Sequence, residues 1–304
     1  TDNKTGLTAA KQLDGICDVT KEFYADRSSC FKQLSKELSK NGIRFLRAAH
    51  FTPRQKEECK AIFMSRILPL LSLMVLDAKH PLMQFENMRS YMLFDLEKNG
   101  RRMVGVMAIN PALDRLYKIG GGENTRLVAL EELVRAFGHH AFIGYTVNGK
   151  MMMRVTRNAD FDTQIDDADL ECDFSAIMKK KVESRARLNI VRLEIDNDDS
   201  RLKPFVLKML KLNPKFCFKD EQFFDYKFLF SLDKFLAAER SAPLKYPPFK
   251  GAVAQELLGA SMIDTVFDHD VFLSYPFDSM NPLVDLLDEC ATDKRVTSIK
   301  ITIY

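Results

Sequence analysis

The 304-residue sequence has no CxxC pair, no apolar run long enough to span a bilayer, no low-complexity tract and little net charge. The six cysteines, Cys17, Cys30, Cys59, Cys172, Cys217 and Cys290, lie too far apart for a zinc site or a disulfide scaffold, and read as free thiols of a reducing cytoplasm. The most apolar stretch, AIFMSRILPLLSLMVL, is broken by Arg66 and Pro69 and falls short of the ~20 residues a membrane helix requires. The opening TDNKTGLTAAKQLDG has neither an initiator Met nor an apolar signal core, so no secretion signal is expected and the end reads as a cut one. No Ser-His-Asp set, HExxH or framed carboxylate pair is present. A formal charge of +3 identifies no polyanionic partner, although 45 Lys and Arg could be concentrated in one channel.

What is present is ordinary globular material, 46% hydrophobic and 29% charged, in a chain long enough for two or three domains. From about Thr8 to Lys40 apolar residues at Leu13, Ile16, Val19, Phe23, Phe31, Leu34 and Leu38 recur mostly every three or four positions, predicting a long amphipathic helix stopped by Asn41-Gly42. IRFL reads as a short strand. Thr52 and Pro53 read as the N-cap and first residue of a second helix that kinks or ends near Pro69. Two apolar runs joined by KNG predict a hairpin, and a second hairpin turn is expected at Asn148-Gly149. RLYKIGGGENTRLVALEELVRAF reads as strand, glycine turn, strand and helix; DLECDFSAIMKKKVESRARLN as a charged helix leading to the strand IVRLEID; and RLKPFVLKMLKL as helical after its proline. These pieces predict a mainly antiparallel α+β domain over 43–250, with SAPLKYPPFKG as a linker. Beyond it DVFLSYP, MNPLVDLLDECATD and VTSIKITIY predict a right-handed parallel βαβ unit.

Several residues invite a chemical reading. GGGENTR lacks the lysine of a phosphate loop and does not run directly into a helix, so it reads as a hairpin turn. His139 and His140 are adjacent and point different ways, which favours packing over chelation. Arg154 and Arg157 precede an acidic run, compatible with a metal-bound phosphate site or with plain helix-dipole chemistry. KKKVESRAR is a phosphate-binding candidate or a solvated helix face. Lys300 would lie near the C-terminal end of the second parallel strand, where open α/β sheets place ligands, or would serve as an edge-strand lysine. The aromatic-rich DEQFFDYKFLF carries Asp220, Glu221 and Asp225, which oppose a nucleic-acid backbone.

Taken in order, FENMRSYMLFDL, TRLVALEELV, MRVTRNADFD, VRLEID and DVFLSYPFDSMNPLVDLLDECATDKRVTSIKITIY resemble segments of the bacterial long-chain polyphosphate kinases across nearly the whole chain. Tyr275, where many members have histidine, and DSM, where SF is usual, depart from the family pattern. The resemblance implies reversible transfer of the ATP γ-phosphate to polyphosphate through a phosphohistidine, with Mg²⁺ bound mainly by residues beyond this chain. It assigns residues 1–42 to the later part of a helical N domain, 43–250 to the middle or head domain, and 251–304 to the start of a phospholipase D-like α/β catalytic domain. In the family the strand continues past Tyr304 into a phosphate-binding arginine. The stretch itself would support dimerisation and a substrate tunnel and be inactive alone, with Lys300 and Arg157 facing phosphate. ATP or ADP and polyphosphate are the implied partners, in a cytoplasmic homo-oligomer for which membrane association stays open; nucleic acid is not among them. The alternative is an interaction and dimerisation module without phosphate contacts.

Overall fold

The computed structural model describes residues 6–76, 84–122, 124–158 and 189–302. The charged helix expected over 169–189 and the acidic run after Asn158 fall almost wholly outside them. The chain forms two compact units, Thr1–Leu236 and Ala237–Tyr304.

In the first unit, helix α1 (Ala9–Lys40) starts where the Thr8 hydroxyl accepts from the Lys11 N–H, and ends where Asn41 caps it and Gly42 turns at φ 75°. Strand β1 (Ile43–Leu46) follows. Helix α2 (Pro53–Ile62) opens with a reciprocal capping box between Thr52 and Gln55, then loosens into a π-turn over Phe63–Ile67 and a tight turn at Pro69. The predicted kink therefore lies just ahead of the proline, which cannot supply the N–H a regular turn needs.

Six strands, β2 (Ser72–Leu76), β3 (Ser90–Lys98), β4 (Arg101–Ala108), β7 (Thr146–Arg157), β8 (Ile190–Ile195) and β9 (Cys217–Lys219), form a sheet in the order β2-β4-β3-β7-β8-β9, antiparallel except for β8 with β9. A smaller sheet, β1-β6-β5, pairs β6 (Thr125–Ala129) in parallel with β1 and antiparallel with β5 (Leu116–Lys118). The KNG hairpin joins β3 to β4, with Asn99 and Gly100 both at positive φ, as a type I′ turn demands.

The second expected hairpin does not form. Asn148 and Gly149 lie inside β7, and the pairing to β3 slips there from Asp95↔Gly149 to Leu96↔Val147, leaving Asn148 as the extra residue of a bulge. Gly149 is required by proximity, because a Cβ would collide with the Asp199 carboxylate.

Both faces of the large sheet are buried, which explains why β3 reads as an almost unbroken apolar run. Tyr91 and Leu93 face a core shared with Leu202 and Val206 of the helix Leu202–Leu210. Met92, Phe94 and Leu96 face a core made with Phe63, Ile67 and helix α3 (Leu130–Phe137). The small sheet contributes Tyr117, Ile119 and Val128 to that second core, and turns Ile43, Leu116 and Leu127 toward Phe31 of α1 and the aromatic segment Phe223–Phe228.

In the second unit, Ser261 caps the helix Met262–Asp268 and Pro282 opens the helix Asn281–Thr292. Glu289 ties them together, its carboxylate accepting from the Met262 and Ile263 N–H groups at 3.0 and 2.9 Å and from the Ser261 hydroxyl at 2.9 Å. Those two N–H groups hold its pKa below the ordinary carboxylate value. The expected βαβ strands are not formed among the described residues: 271–276 and 296–302 pair with nothing, and only Ala252 and Asp278 form a parallel bridge. Phe272 is 88% exposed and Ile301 61%, as expected of apolar strand-forming segments with no neighbour to pair with and no layer to cover them.

Gly105 on β4 is a tight packing constraint between sheet and core: a Cβ there would sit 2.7 Å from the Phe142 ring and 2.8 Å from Leu96. Gly105→Ala should lower the urea midpoint, costing about 1–3 kcal/mol through overpacking; an unchanged midpoint would show that the Phe142 ring can move aside.

Candidate functional site

The charges inside the first unit are organised around one cross-strand pair. Arg154 on β7 is directly opposite Glu194 on β8, and its guanidinium donates to both carboxylate oxygens at 2.6 and 2.9 Å. Arg154 is 3% exposed and Glu194 fully buried. Alternation along β7 puts Met153 and Val155 in one core, which leaves Arg154 on the opposite face beneath α1. There the Tyr24 hydroxyl donates to Glu194 at 2.5 Å, and Arg154 also donates to the Phe224 carbonyl. Burial, followed by the Glu194 charge, pushes the Tyr24 phenol well above its usual pKa.

The network extends through the 220–226 segment. Arg154 reaches Asp225 at 3.4 Å, Asp225 accepts from Arg115 at 3.2 Å, and Arg115 also binds Glu131 at the start of α3. Arg27 of α1 lies 4.3 Å above the Tyr24 ring and donates to Asp220. Arg47 donates to Glu132 at 3.0 Å, and Glu132 accepts from the Ala48 N–H at 2.8 Å. Arg135 pairs with Asp196, which accepts from the Met152 N–H.

The carboxylates respond differently. Burial raises Glu131 despite Arg115, whereas at Asp225 burial is outweighed by Arg115, the Lys227 N–H and Arg154, which hold it below the ordinary range. A cavity of about 300 Å³ opens beside this network, lined by Asn87, Arg89, Asn110, Arg115, Glu131 and Asp225 among others.

Arg157, at the end of β7, faces a different duty from Arg154. Strand alternation puts it on the opposite face of β7 from Arg154, where its guanidinium donates to the Phe85 carbonyl at 3.0 and 2.8 Å and its backbone N–H donates to the Asn87 side-chain oxygen at 2.9 Å. Burial keeps its pKa below the usual arginine value. Lys300 belongs to the second unit and is exposed. The structure therefore does not bring the two expected phosphate-facing residues together within one unit.

His139 and His140 have ring centroids 4.2 Å apart, and burial together with nearby cations lowers both pKa values. Among the described residues no three His, Cys, Asp or Glu side chains converge as a metal cage. The buried carboxylates are already claimed by arginines, so these residues do not fit a resident Mg²⁺. No helix among the described residues is long and apolar enough to cross a membrane.

Sequence reasoning weighed Arg154 only as a phosphate-site or helix-dipole residue, and passed over Glu194 and Tyr24. The readable signal was a charge inside each of two apolar strands, Arg154 between Met153 and Val155 and Glu194 between Leu193 and Ile195, which signifies a buried cross-strand pair.

Comparison with known proteins places these features in context. The family described as "Polyphosphate kinase middle domain" matches residues 54–232, and "Polyphosphate kinase C-terminal domain 1" matches residues 261–304. A protein named polyphosphate kinase from Bacillus anthracis is 29% identical over 314 residues, spanning 100% of this chain and 44% of the relative. Another of that name from Pseudomonas aeruginosa is 30% identical over 309 residues, spanning 98% and 44%. The chain thus spans less than half the length of these relatives. The crystal structure of polyphosphate kinase from Porphyromonas gingivalis superposes with a TM-score of 0.66 at 18% identity over 94% of this chain and 42% of that one, a likeness of fold.

Two outcomes follow from the network. Arg154→Ala strands a buried Glu194 and should cost about 3–5 kcal/mol, while the double change Arg154→Met with Glu194→Leu should recover much of that loss in chemical denaturation. Asp225→Asn should destabilise at neutral pH. Because its folded pKa is depressed, the stabilisation exists above the ordinary aspartate pKa and disappears as pH falls, so the difference from the unaltered protein should fade below about pH 4.

Proposed function

Since this chain belongs to the polyphosphate kinase family, as the match of the middle-domain family to residues 54–232 establishes, we propose that it is part of an enzyme that transfers the γ-phosphate of ATP reversibly to polyphosphate through a phosphohistidine. The observation that carries this reading is the in-order match of residues 54–232 and 261–304 to two domains of that family. In this reading the first unit is a scaffold that supports dimerisation and the surroundings of a polyphosphate tunnel. The phosphohistidine and most Mg²⁺ ligands come from residues other than those described here, consistent with carboxylates that are already engaged by arginine.

Phosphoryl transfer depends on positioning and on neutralising charge, so cations close to the phosphate chain contribute most. Lys300 is the proposed phosphate contact in the second unit. Arg157 is the proposed contact in the first, where the Phe85 carbonyl fixes its guanidinium in place. The helix Asn281–Thr292 leads toward Lys300, and the proposed catalytic fold would add the strands that cover Ile299 and Ile301.

In the full-length protein, γ-labelled ATP with Mg²⁺ should give acid-insoluble polymer that an exopolyphosphatase degrades. Lys300→Ala should lower kcat/KM by about 10- to 100-fold, the scale of one lost charge contact at a transferring phosphate. No polymer, together with no polyphosphate binding, would favour an interaction module instead; an unchanged kcat/KM in the variant would remove Lys300 from the site.

A further inference from the structure

A second cavity, of about 280 Å³, lies between the N-terminus of α2 and the turn that joins β5 to β6, lined by Thr52, Arg54, Gln55, Glu58, Gly120 and Arg126 among others. The turn is the glycine run read from the sequence as a plain hairpin connection, and it is one: Gly120 and Gly122 take positive φ values of 68° and 105°. It also leaves its backbone bare toward the cavity. A Cβ on Gly121 or Gly122 would meet nothing within 4 Å, and one on Gly120 would lie 3.7 Å from the Arg126 guanidinium. The Gly120 N–H donates to the Glu58 carboxylate at 2.8 Å, which engages the one acid among the described residues of this wall in fixing the turn.

The cations are arranged differently from those in the core. Arg126 on β6 is the in-register partner of Arg44 on the parallel strand β1. Side chains in that relation leave the sheet on the same face, about 5 Å apart at their bases, and like charges so placed destabilise the pairing. Arg27, Arg47, Arg115, Arg135, Arg154 and Arg201 each have a carboxylate partner. Arg44, Arg54 and Arg126 have none among the described residues. Arg54, at the second position of α2, adds its charge to the positive end of the helix dipole.

We propose that the cavity between the α2 N-terminus and the Gly120–Gly122 turn, with Arg54 and Arg126 on its wall and Arg44 beside Arg126 on the neighbouring strand, is a phosphate-binding subsite that holds a segment of a condensed phosphate chain. The inference rests on the polyphosphate reading above and adds to it a place on the first unit where the chain is held. Arginine suits the ligand because its fork of N–H donors matches phosphate oxygens two at a time. The open side of the cavity suits a polymer that must continue in both directions.

The test measures binding to the full-length protein of three probes, a medium-length polyphosphate, inorganic phosphate and ATP, for the unaltered protein, Arg44→Gln with Arg126→Gln, and Arg126→Lys. Both arginines are partly exposed, and thermal melts establish that each variant is folded. The double variant should weaken polyphosphate binding about tenfold or more and flatten its salt dependence, with affinity for ATP changed less than about twofold. Arg126→Lys should keep the salt dependence while losing part of the affinity, a separation that a merely structural role would not produce. Unchanged polyphosphate affinity in the folded double variant, or a loss confined to inorganic phosphate or ATP, would overturn the subsite while leaving the family activity standing. No polyphosphate binding by the unaltered protein would overturn both.

Discussion

The first unit depends on the buried ion pair between Arg154 and Glu194. Two ions taken out of water lose several kcal/mol of solvation each, and only near-ideal geometry with every remaining donor satisfied offsets this. Here the requirement is met by parts distant in sequence: Tyr24 from α1, the Phe224 carbonyl and Asp225. Because each part is needed to satisfy the same two residues, the pair fixes where α1 lies on the large sheet and how the 220–226 segment crosses it. An apolar contact at this position would tolerate sliding. The ion pair does not, since a displacement of an ångström or two would leave a charge without its partner.

From that anchor the positions of the other layers follow. Asp225 passes the constraint to Arg115, and Arg115 passes it to Glu131 at the start of α3, so the small sheet and the large sheet are held in one arrangement by a chain of charges as well as by the core between them. Arg157, three residues from Arg154 on the same strand, holds the Phe85–Asn87 segment that borders the 300 Å³ cavity. The same segment of sequence therefore positions both a buried scaffold contact and the segment bordering a cavity, and strand alternation over the three residues between them sends the two arginines to opposite faces.

How far this was legible in the sequence differed by level. Helix α1, its Asn41-Gly42 stop, the Thr52 cap and the KNG hairpin were all readable, because each depends on local chemistry within four or five residues. Asn148-Gly149 has the same local chemistry as a hairpin turn, but strand β3 on one side and the Asp199 carboxylate close by impose a bulge instead. The βαβ strands fail for the opposite reason. Their alternation is correct, yet an alternating strand needs a neighbour, and none is described beside them. Arg157 and Lys300 are expectations from pattern and resemblance, whereas the pairing of Arg154 with Glu194 required knowing which strands are neighbours, information that resides in non-local contacts.

The arithmetic of charge also reads differently with the structure. A net charge of +3 identifies no polyanion partner by itself, because it averages two populations that behave in separate ways. Several arginines of the first unit pair with buried or half-buried carboxylates, where the charges largely cancel and add little to the outside field. A polyanion meets the remainder, and within it Arg54 and Arg126 on one cavity wall, with Arg44 beside Arg126, produce a stronger local field than their share of the total implies. Interior pairing thus performs a sorting function: by pairing acids with scaffold arginines inside the fold, the sequence leaves Arg44 and Arg126 side by side on a sheet that pays for their repulsion, a cost that an anion between them would remove.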